Sequence, residues 1–396
     1  FFQAQDGIRD PLWSRGLGDV YKRQAKRGLV KYAKPAGVIA SLIPMTNPAM
    51  TPPVTGVSSA NARNAVIFSP HPRTAATTYE MSRIMRAACH AVGAPEDLFQ
   101  CIERPSIPMT QYLMESCDLT LATGGKPMVQ AAYSSGKPAY GVGAGNSTIV
   151  VDETADLNEA AKNIMISKTS DFGSGCSADG NIVIQKSIYS NMVSELQANN
   201  GYLCNSAEKE LLSRAMWDNK ENRTFSTIAC KPQQLALVAG FEIPENIKFL
   251  MVENNGQIGK EHKFSKEKLT TLMALYYFEE FPDALNIIQK IYEVGGKGHS
   301  CGIYSTSDKN IDALARVAPV SRMMVRQPQS KSNAGSWTNG MPMTSSLGCG
   351  IWGGNITNEN VTMKHMMNYT WVSKPIQEDR PSERELFGEF FGQEVA

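Results

Sequence analysis

The amino-acid sequence predicts an α/β fold with two lobes, and three observations lead to this prediction. Short apolar runs end at proline, glycine or polar residues, as buried parallel strands do. Segments with apolar residues at helical spacing separate these runs. The alternation occurs twice, within residues 25–145 and again within residues 146–355. Each series therefore predicts a parallel sheet covered by helices on both faces.

The first series begins with the apolar run 38–43, which Pro44 ends. Its other predicted elements are strands at 64–68 and 119–123 and helices at 77–92 and 127–134. The second series has predicted strands at 148–152, 181–185, 246–252 and 301–305, and predicted helices at 159–167, 189–198, 207–217, 284–293 and 312–317. Two consecutive series of this size predict two lobes with a cleft between them, a usual place for a cofactor.

The two ends of the chain lack this alternation. Residues 1–24 show neither a strand period nor a helix period and look like the translation of a sequencing adaptor, so they are excluded from fold reasoning. After residue 358 the pattern weakens, and the last twenty-odd residues are charged and rich in proline. The predicted divisions are 1–24, 25–145, 146–355 and 356–396.

Composition narrows the class of protein. The chain has 396 residues and a formal net charge of +1, which argues against nucleic acid or an anionic membrane as the main partner. Its eight cysteines include no CxxC pair, so neither a zinc site nor a disulfide framework is predicted. Scattered free thiols fit a reducing compartment, and no apolar run is long enough to cross a bilayer. These observations predict a soluble cytoplasmic protein without a bound metal.

Cys176 is the candidate nucleophile. It follows Gly173 and Gly175 in a turn of small residues, which leaves the thiol reachable and lets the backbone approach a substrate oxygen. The alternative is a small buried hydrophobic residue, the usual role of a free cysteine.

Three further segments are candidate binding elements. Thr123-Gly124-Gly125 ends a strand at a helix start, where free N–H groups and the helix dipole attract phosphate; an ordinary turn is the alternative. Asn47, held between a strand end and a proline, can aim its amide as an oxyanion donor does; the alternative is a simple Asn-Pro turn. His71 and Arg73 follow the second strand and offer cations to a ribose or a 2′-phosphate; the alternative is a solvated loop.

Six motifs occur in one order along the chain: SPHPR (69–73), ATGG (122–125), AYSSGKPA (132–139), GVGAGN (141–146), SKT (167–169) ahead of Cys176, and LGCGIWGGN (347–355). Together they closely resemble the CoA-acylating branch of the aldehyde dehydrogenase superfamily. That branch includes acylating sulfoacetaldehyde dehydrogenases and the aldehyde domain of bifunctional aldehyde–alcohol dehydrogenases. The resemblance covers almost all of residues 35–364 and implies an aldehyde dehydrogenase-like fold, with a Rossmann-like cofactor lobe at 25–145, a catalytic lobe at 146–355 and an oligomerisation segment at 356–396.

The resemblance implies a reaction as well. Cys176 matches the nucleophile that attacks an aldehyde, and the Asn47 amide with the backbone N–H of Cys176 would hold the oxyanion. Hydride then passes to NAD or NADP, and CoA collects the acyl group from the cysteine thioester. Glu267 matches the residue that holds the nicotinamide ribose. His299 and His365 match family positions, and we interpret both as satisfied structural histidines.

Val142 stands where hydrolytic members of the superfamily carry a glutamate that activates water. Without that base, attack of water on the thioester should be slow, and attack by a thiol acceptor should be faster. This favours acyl transfer over two alternatives: a hydrolytic or phosphorylating semialdehyde dehydrogenase, and a non-catalytic assembly subunit. The polar approach to Cys176 favours a short or polar aldehyde, sulfoacetaldehyde first and acetaldehyde next.

The resemblance also bears on assembly. Residues 369–373 match a strand that extends the sheet of a neighbouring subunit, which predicts a homo-oligomer. Relatives carry about a hundred further residues, a sizeable share of a domain, before the segment that matches Pro35. We therefore expect a cofactor lobe truncated at its N-terminus, and a chain that is poorly soluble and binds nucleotide weakly.

Overall fold

The computed structural model describes residues 28–378 and 380–388, so the adaptor-like segment 1–24 lies outside the described residues. The first sheet has five parallel strands in the order β4-β3-β2-β5-β6. Its elements, with the strand β1 that precedes them, are β1 (Leu29–Pro35), β2 (Val38–Ile43), α1 (Thr51–Asn61), β3 (Ala65–Pro70), α2 (Ala75–His90), β4 (Phe99–Cys101), α3 (Ile107–Ser116), β5 (Leu119–Thr123), α4 (Lys126–Ser134) and β6 (Ala139–Val142). Because the chain winds outward from β2 in one direction and from β5 in the other, β2 and β5 mark the point where the strand order reverses.

The second sheet has seven parallel strands in the order β13-β12-β7-β8-β11-β10-β9. Its elements are β7 (Thr148–Val151), α5 (Leu157–Thr169), β8 (Asn181–Gln185), α6 (Tyr189–Ala198), β9 (Gly201–Leu203), α7 (Ser206–Met216), α8 (Pro232–Ala239), β10 (Phe249–Glu253), β11 (Leu272–Phe278), α9 (Phe281–Val294), β12 (Gly298–Tyr304), α10 (Asp308–Val317), β13 (Val320–Val325) and α11 (Gln329–Ser332). Its central strands are apolar on both faces and carry two separate hydrophobic clusters. None of the helices in the described residues is long and apolar enough to cross a bilayer.

A separate antiparallel ribbon joins β1 to β14 (Met367–Ser373), and a short helix α12 (Glu383–Phe387) follows it. This ribbon belongs to a separate unit, and residues 36–366 form one compact unit of their own. The residues predicted to extend a neighbour's sheet lie in β14, where Trp371 and Val372 are exposed.

The predicted α/β class with parallel sheets is confirmed, and several elements lie where the sequence places them. The predicted bounds of β2, β5, β8 and α6 match the structure to the residue.

The sequence did not predict α1, because its two prolines, its glycine and its serines have poor helix propensity. The prolines fall in the first helical turn, where no N–H is needed, and Gly56 packs so closely on Met85 that a side chain there would lie 2.4 Å from the Met85 Cε. β11 was missed because its continuous apolar run has no period to read.

Candidate active site

Cys176 lies on a sharply bent turn between α5 and β8. Asp171, Phe172 and Gly173 have φ values of 49°, 50° and 68°, so three successive residues adopt left-handed backbone. A side chain at Gly173 would lie 2.4 Å from the carbonyl oxygen of Thr270, which leaves room for glycine alone. The bend places Cys176, a half-buried residue, just before the amino end of β8.

His299 contacts this thiol directly. Its Nε2 lies 3.0 Å from the Sγ of Cys176, and its Nδ1 lies 2.8 Å from the Oγ of Ser300. The cysteine and the histidine are 123 residues apart, but β8 and β12 both pair with β7, so their amino ends are close. This contact goes beyond the interpretation of His299 as a satisfied structural histidine, because its ring reaches the thiol of the candidate nucleophile. His365 is satisfied as expected, by the N–H of Thr362 and the carboxylate of Glu359.

Burial keeps both partners of this pair neutral. It raises the pKa of the Cys176 thiol to about 12; Glu267 and Cys349 add to the rise, and the Arg322 guanidinium opposes it. Burial, with Arg322, also lowers the pKa of His299 to about 3. At neutral pH both groups are therefore uncharged, and in the tautomer that carries its proton on Nδ1, toward Ser300, Nε2 accepts from the thiol. An imidazole in this position can take the thiol proton if the sulfur acts as a nucleophile.

Glu267 lies beside the same thiol. Burial raises the pKa of its carboxyl to about 7, although the nearby N–H of Gly145 and the Lys168 ammonium pull that pKa down. Its Oε1 is buried and has no hydrogen-bond partner among the described residues. A hydroxyl of a bound ligand would satisfy this acceptor, so the geometry fits the predicted ribose contact, which stays a prediction.

The backbone of Gly145 packs directly on that of Cys176. A Cβ on Gly145 would lie 1.8 Å from the carbonyl oxygen of Cys176, a distance that no side chain can occupy. The GVGAGN motif is therefore needed for close packing behind the cysteine. Val142, at the start of this motif region, is buried and carries no acid or base.

A buried group of charged side chains next to Glu267 was not predicted from sequence. Burial lowers the pKa of Lys168 to about 7 and raises the pKa of Asp179 to about 7. Lys268 donates from Nζ to the Oδ1 of Asn181 at 2.5 Å. The SKT motif, with a lysine among apolar helix positions, was the available signal, because a lysine on a buried helix face needs partners.

The predicted phosphate-binding residues lie at the junction of β5 and α4. Gly125 precedes the first residue of α4, and no side chain caps the N–H groups of that helix. The N–H of Gly124 donates to the carbonyl of Val142 at 3.3 Å, and the Oγ1 of Thr123 lies 3.5 Å from the Oγ of Ser346. Pro127 has no N–H and the N–H of Met128 donates to the carbonyl of Gly125, so the N–H groups left for a ligand at this helix start are those of Gly125 and Lys126. They lie at the point where the strand order reverses, the usual place for a nucleotide in such sheets.

His71 and Arg73 have different environments. His71 lines a cavity of 410 Å³, whose wall also includes Thr110, Met114, Met128 and Ala131 from α3 and α4. Burial and the neighbouring Arg73 lower the pKa of His71, so the expectation of a cation there is corrected: at neutral pH its ring is uncharged. The guanidinium of Arg73 stacks 4.0 Å above the ring centre of Phe225.

Asn47 lies four residues after the end of β2, the strand that pairs with β5. Its side chain is exposed and makes no hydrogen bond with any residue in the described ranges. The amide is therefore available to a ligand, and its role in holding an oxyanion stays a prediction.

Comparison with known proteins relates this geometry to a family. A family model described as "Aldehyde dehydrogenase family" matches residues 13–204. A sulfoacetaldehyde dehydrogenase of Acholeplasma sp is 43% identical over 91% of this chain and 75% of that protein. An acylating sulfoacetaldehyde dehydrogenase of Bilophila wadsworthia is 39% identical over 97% of this chain and 83% of that protein. The solved structure of an acetylating aldehyde dehydrogenase from Geobacillus thermoglucosidasius has a TM-score of 0.87 and 37% identity, and covers 90% of this chain and 79% of that one.

Proposed function

Because this chain belongs to the aldehyde dehydrogenase family, we propose that it oxidises a short, polar aldehyde to the acyl-CoA with NAD(P)+ as hydride acceptor. The observation that carries this proposal is the contact of 3.0 Å between the Cys176 Sγ and the His299 Nε2. A reachable thiol beside a neutral imidazole is the arrangement that covalent catalysis by cysteine requires.

Cys176 is the nucleophile in this proposal and His299 is its proton acceptor. The sulfur bonds to the aldehyde carbon while the thiol proton moves to Nε2, which gives a thiohemiacetal. The Asn47 amide and the N–H of Cys176 hold the oxygen that becomes negative. When hydride leaves the same carbon, an acyl thioester remains on Cys176.

The nucleotide is assigned to the carboxyl edge of the five-stranded sheet. Bound NAD(P)+ supplies the hydride acceptor. Thr123, Gly124 and Gly125 would hold its phosphates with the uncapped start of α4, and His71 lies in the 410 Å³ cavity alongside. The unpartnered Oε1 of Glu267 fits a ribose hydroxyl. We accordingly assign residues 25–145 to cofactor binding and 146–355 to the catalytic lobe.

Release of the acyl group is assigned to CoA. Val142 is 4% exposed and offers no base where hydrolytic members of the superfamily have one. Glu267 is a carboxyl near the thiol, but its assigned role is to bind the nucleotide. His299 can accept the proton of the CoA thiol, and a thiol is far more reactive than water toward a thioester, so transfer to CoA should outpace hydrolysis.

Sulfoacetaldehyde is the substrate that the comparisons favour, because two relatives are named for it. The turn residues Ser170 and Asp171 have accessible polar side chains, as a polar aldehyde would suit, whereas Ser174 is buried and contributes nothing to the approach. We further propose a homo-oligomer joined through β14 and a cytoplasmic location, which suits a catalytic thiol.

The test measures NAD(P)H formation over time with sulfoacetaldehyde or acetaldehyde as substrate, in the presence and in the absence of CoA. Without CoA the protein should form at most one equivalent of NAD(P)H per Cys176 and then slow at least about tenfold, because the thioester has no efficient acceptor. Desulfo-CoA, which lacks the thiol, is the matched control and should not restore turnover. A sustained rate without CoA would identify a hydrolytic enzyme instead.

A further inference from the structure

Arg322 is a buried cation behind the thiol–imidazole pair. It lies on β13, next to β12, and is 5% exposed. Its guanidinium donates to the carbonyl oxygens of His299 at 3.1 Å, Gly348 at 2.6 Å and Asn358 at 3.1 Å. These bonds connect the strand that carries His299 to the loop that carries Cys349.

This guanidinium has no carboxylate partner. Within residues 28–378 and 380–388 it makes no ion pair, and its Nε has no hydrogen-bond partner. The groups that raise its pKa against burial are two thiols, Cys349 and Cys176. Lys168 differs, because the carboxyls of Asp179 and Glu267 raise its pKa. A buried cation without a fixed anion is unfavourable unless an anion forms nearby during function.

We propose that Arg322 is a positioning residue for the reaction: it fixes His299 through the carbonyl oxygen of that residue and stabilises the Cys176 thiolate when the thiol loses its proton. The proton passes from Sγ to Nε2 of His299 as the sulfur attacks, and the negative charge that develops on the sulfur lies in the field of Arg322. Because the same positive charge disfavours a protonated ring, His299 releases this proton to solvent before it accepts a second one from the thiol of the acyl acceptor.

Of the other groups that act on Cys176, its own backbone N–H lowers the thiol pKa, and the rest oppose the thiolate or are neutral. Glu267 and Cys349 raise the pKa of the Cys176 thiol, and neutral His299 only accepts its hydrogen bond. Arg322 is thus the cation that opposes burial at this sulfur.

The inference rests on Cys176 being the nucleophile, but its test needs neither aldehyde nor CoA. The 396-residue chain is treated with iodoacetamide between pH 6 and 10, and the rate of alkylation at Cys176 is followed by peptide mass spectrometry. Arg322→Met should lower that rate at pH 8 about tenfold, which corresponds to a rise of about one unit in the thiol pKa. Arg322→Lys keeps the charge and should stay within about threefold of the parent.

Arg223→Met is the matched control. Arg223 is also a largely buried arginine that donates to backbone carbonyls, those of Met216, Thr227 and Lys268, but it does not act on the Cys176 thiol. Its loss should not slow alkylation of Cys176.

An alkylation rate equal to that of the parent chain in a folded Arg322→Met variant overturns the inference. If that variant does not fold, Arg322→Lys decides, because a tenfold loss there would show that charge is not what the site requires. A hydrolytic or inactive chain that shows the expected alkylation pattern would overturn the proposed function and leave this inference standing.

Discussion

The two sheets present their polar residues in opposite ways. The five-stranded sheet offers the carboxyl ends of its strands, where Asn47 and Gly125 are exposed and the start of α4 is uncapped. The seven-stranded sheet offers the amino ends of its strands, where His299 is fully buried and Cys176 is half-buried. The carboxyl edge is the usual place for a ligand in parallel sheets, but the amino edge is not.

The difference follows from what each edge is proposed to do. A nucleotide is a large charged ligand, so its site needs accessible N–H groups that water solvates until the ligand arrives. A reacting thiol must lose its proton, and because burial raises its pKa, the amino edge has to supply a base and a cation beside the sulfur. At the amino edge burial moves the pKa values of Cys176, His299 and Glu267 together. We call the amino edge of the seven-stranded sheet the reactive edge. Substitutions there should alter the reaction rate or folding, whereas substitutions at the carboxyl edge of the five-stranded sheet should alter nucleotide binding.

The largest expected effect is the loss of chemistry at the reactive edge. Cys176→Ala should lower CoA-dependent aldehyde oxidation at least about 10³-fold, because no thioester can form. Nucleotide binding, measured by fluorescence titration, should change little, because the 410 Å³ cavity does not include this thiol. Cys349→Ala, which removes a neighbouring buried thiol, is the control and should retain most activity. An inactive Cys349→Ala beside an active Cys176→Ala would reverse the assignment.

The sequence predicts the carboxyl edge better than the amino edge, for a physical reason. β2 and β5 end at Pro44 and Gly124, so the loop residues after them are recognisable from local sequence. The contact between Cys176 and His299 depends on β8 and β12 meeting on either side of β7, which no local pattern contains. Without strand order, a histidine at the start of an apolar strand is indistinguishable from a structural one.

The second prediction concerns glycines at the two edges. Gly145→Ala would place a methyl group 1.8 Å from the carbonyl oxygen of Cys176, and backbone cannot move aside as a flexible side chain can. We expect a loss of about 1–3 kcal/mol in the free energy of unfolding by urea, with slower turnover from a displaced thiol.

Gly125→Ala is the matched change at the carboxyl edge. A Cβ there meets only the Pro127 Cδ, at 3.8 Å, which is an ordinary contact. Its free energy of unfolding should fall by less than about 1 kcal/mol, while nucleotide affinity falls because the methyl group narrows the approach to α4. Equal destabilisation by the two substitutions would remove the distinction between an edge packed for reaction and an edge open for binding.

The smallest expected effect is a pH dependence of stability that the reactive edge alone should show. Burial raises the pKa of Glu267 from 4.5 to about 7, so between these two values the folded chain holds a proton that the unfolded chain has released. Stability contributed by this proton is complete below pH 4.5 and is lost as pH rises towards 7. Glu267→Gln cannot titrate, so from pH 5 to pH 6 its free energy of unfolding by urea should gain about 1 kcal/mol on the parent chain. Asp179 is present in both proteins, but Glu267 raises the pKa of Lys168, so the difference between the two proteins reports Glu267 together with its coupling to Lys168. Glu261→Gln, which changes an exposed glutamate in the same segment, should run parallel to the parent. A parallel curve for Glu267→Gln as well would mean that its carboxylate is fully compensated by Lys168 and Arg223, and that burial does not set its pKa.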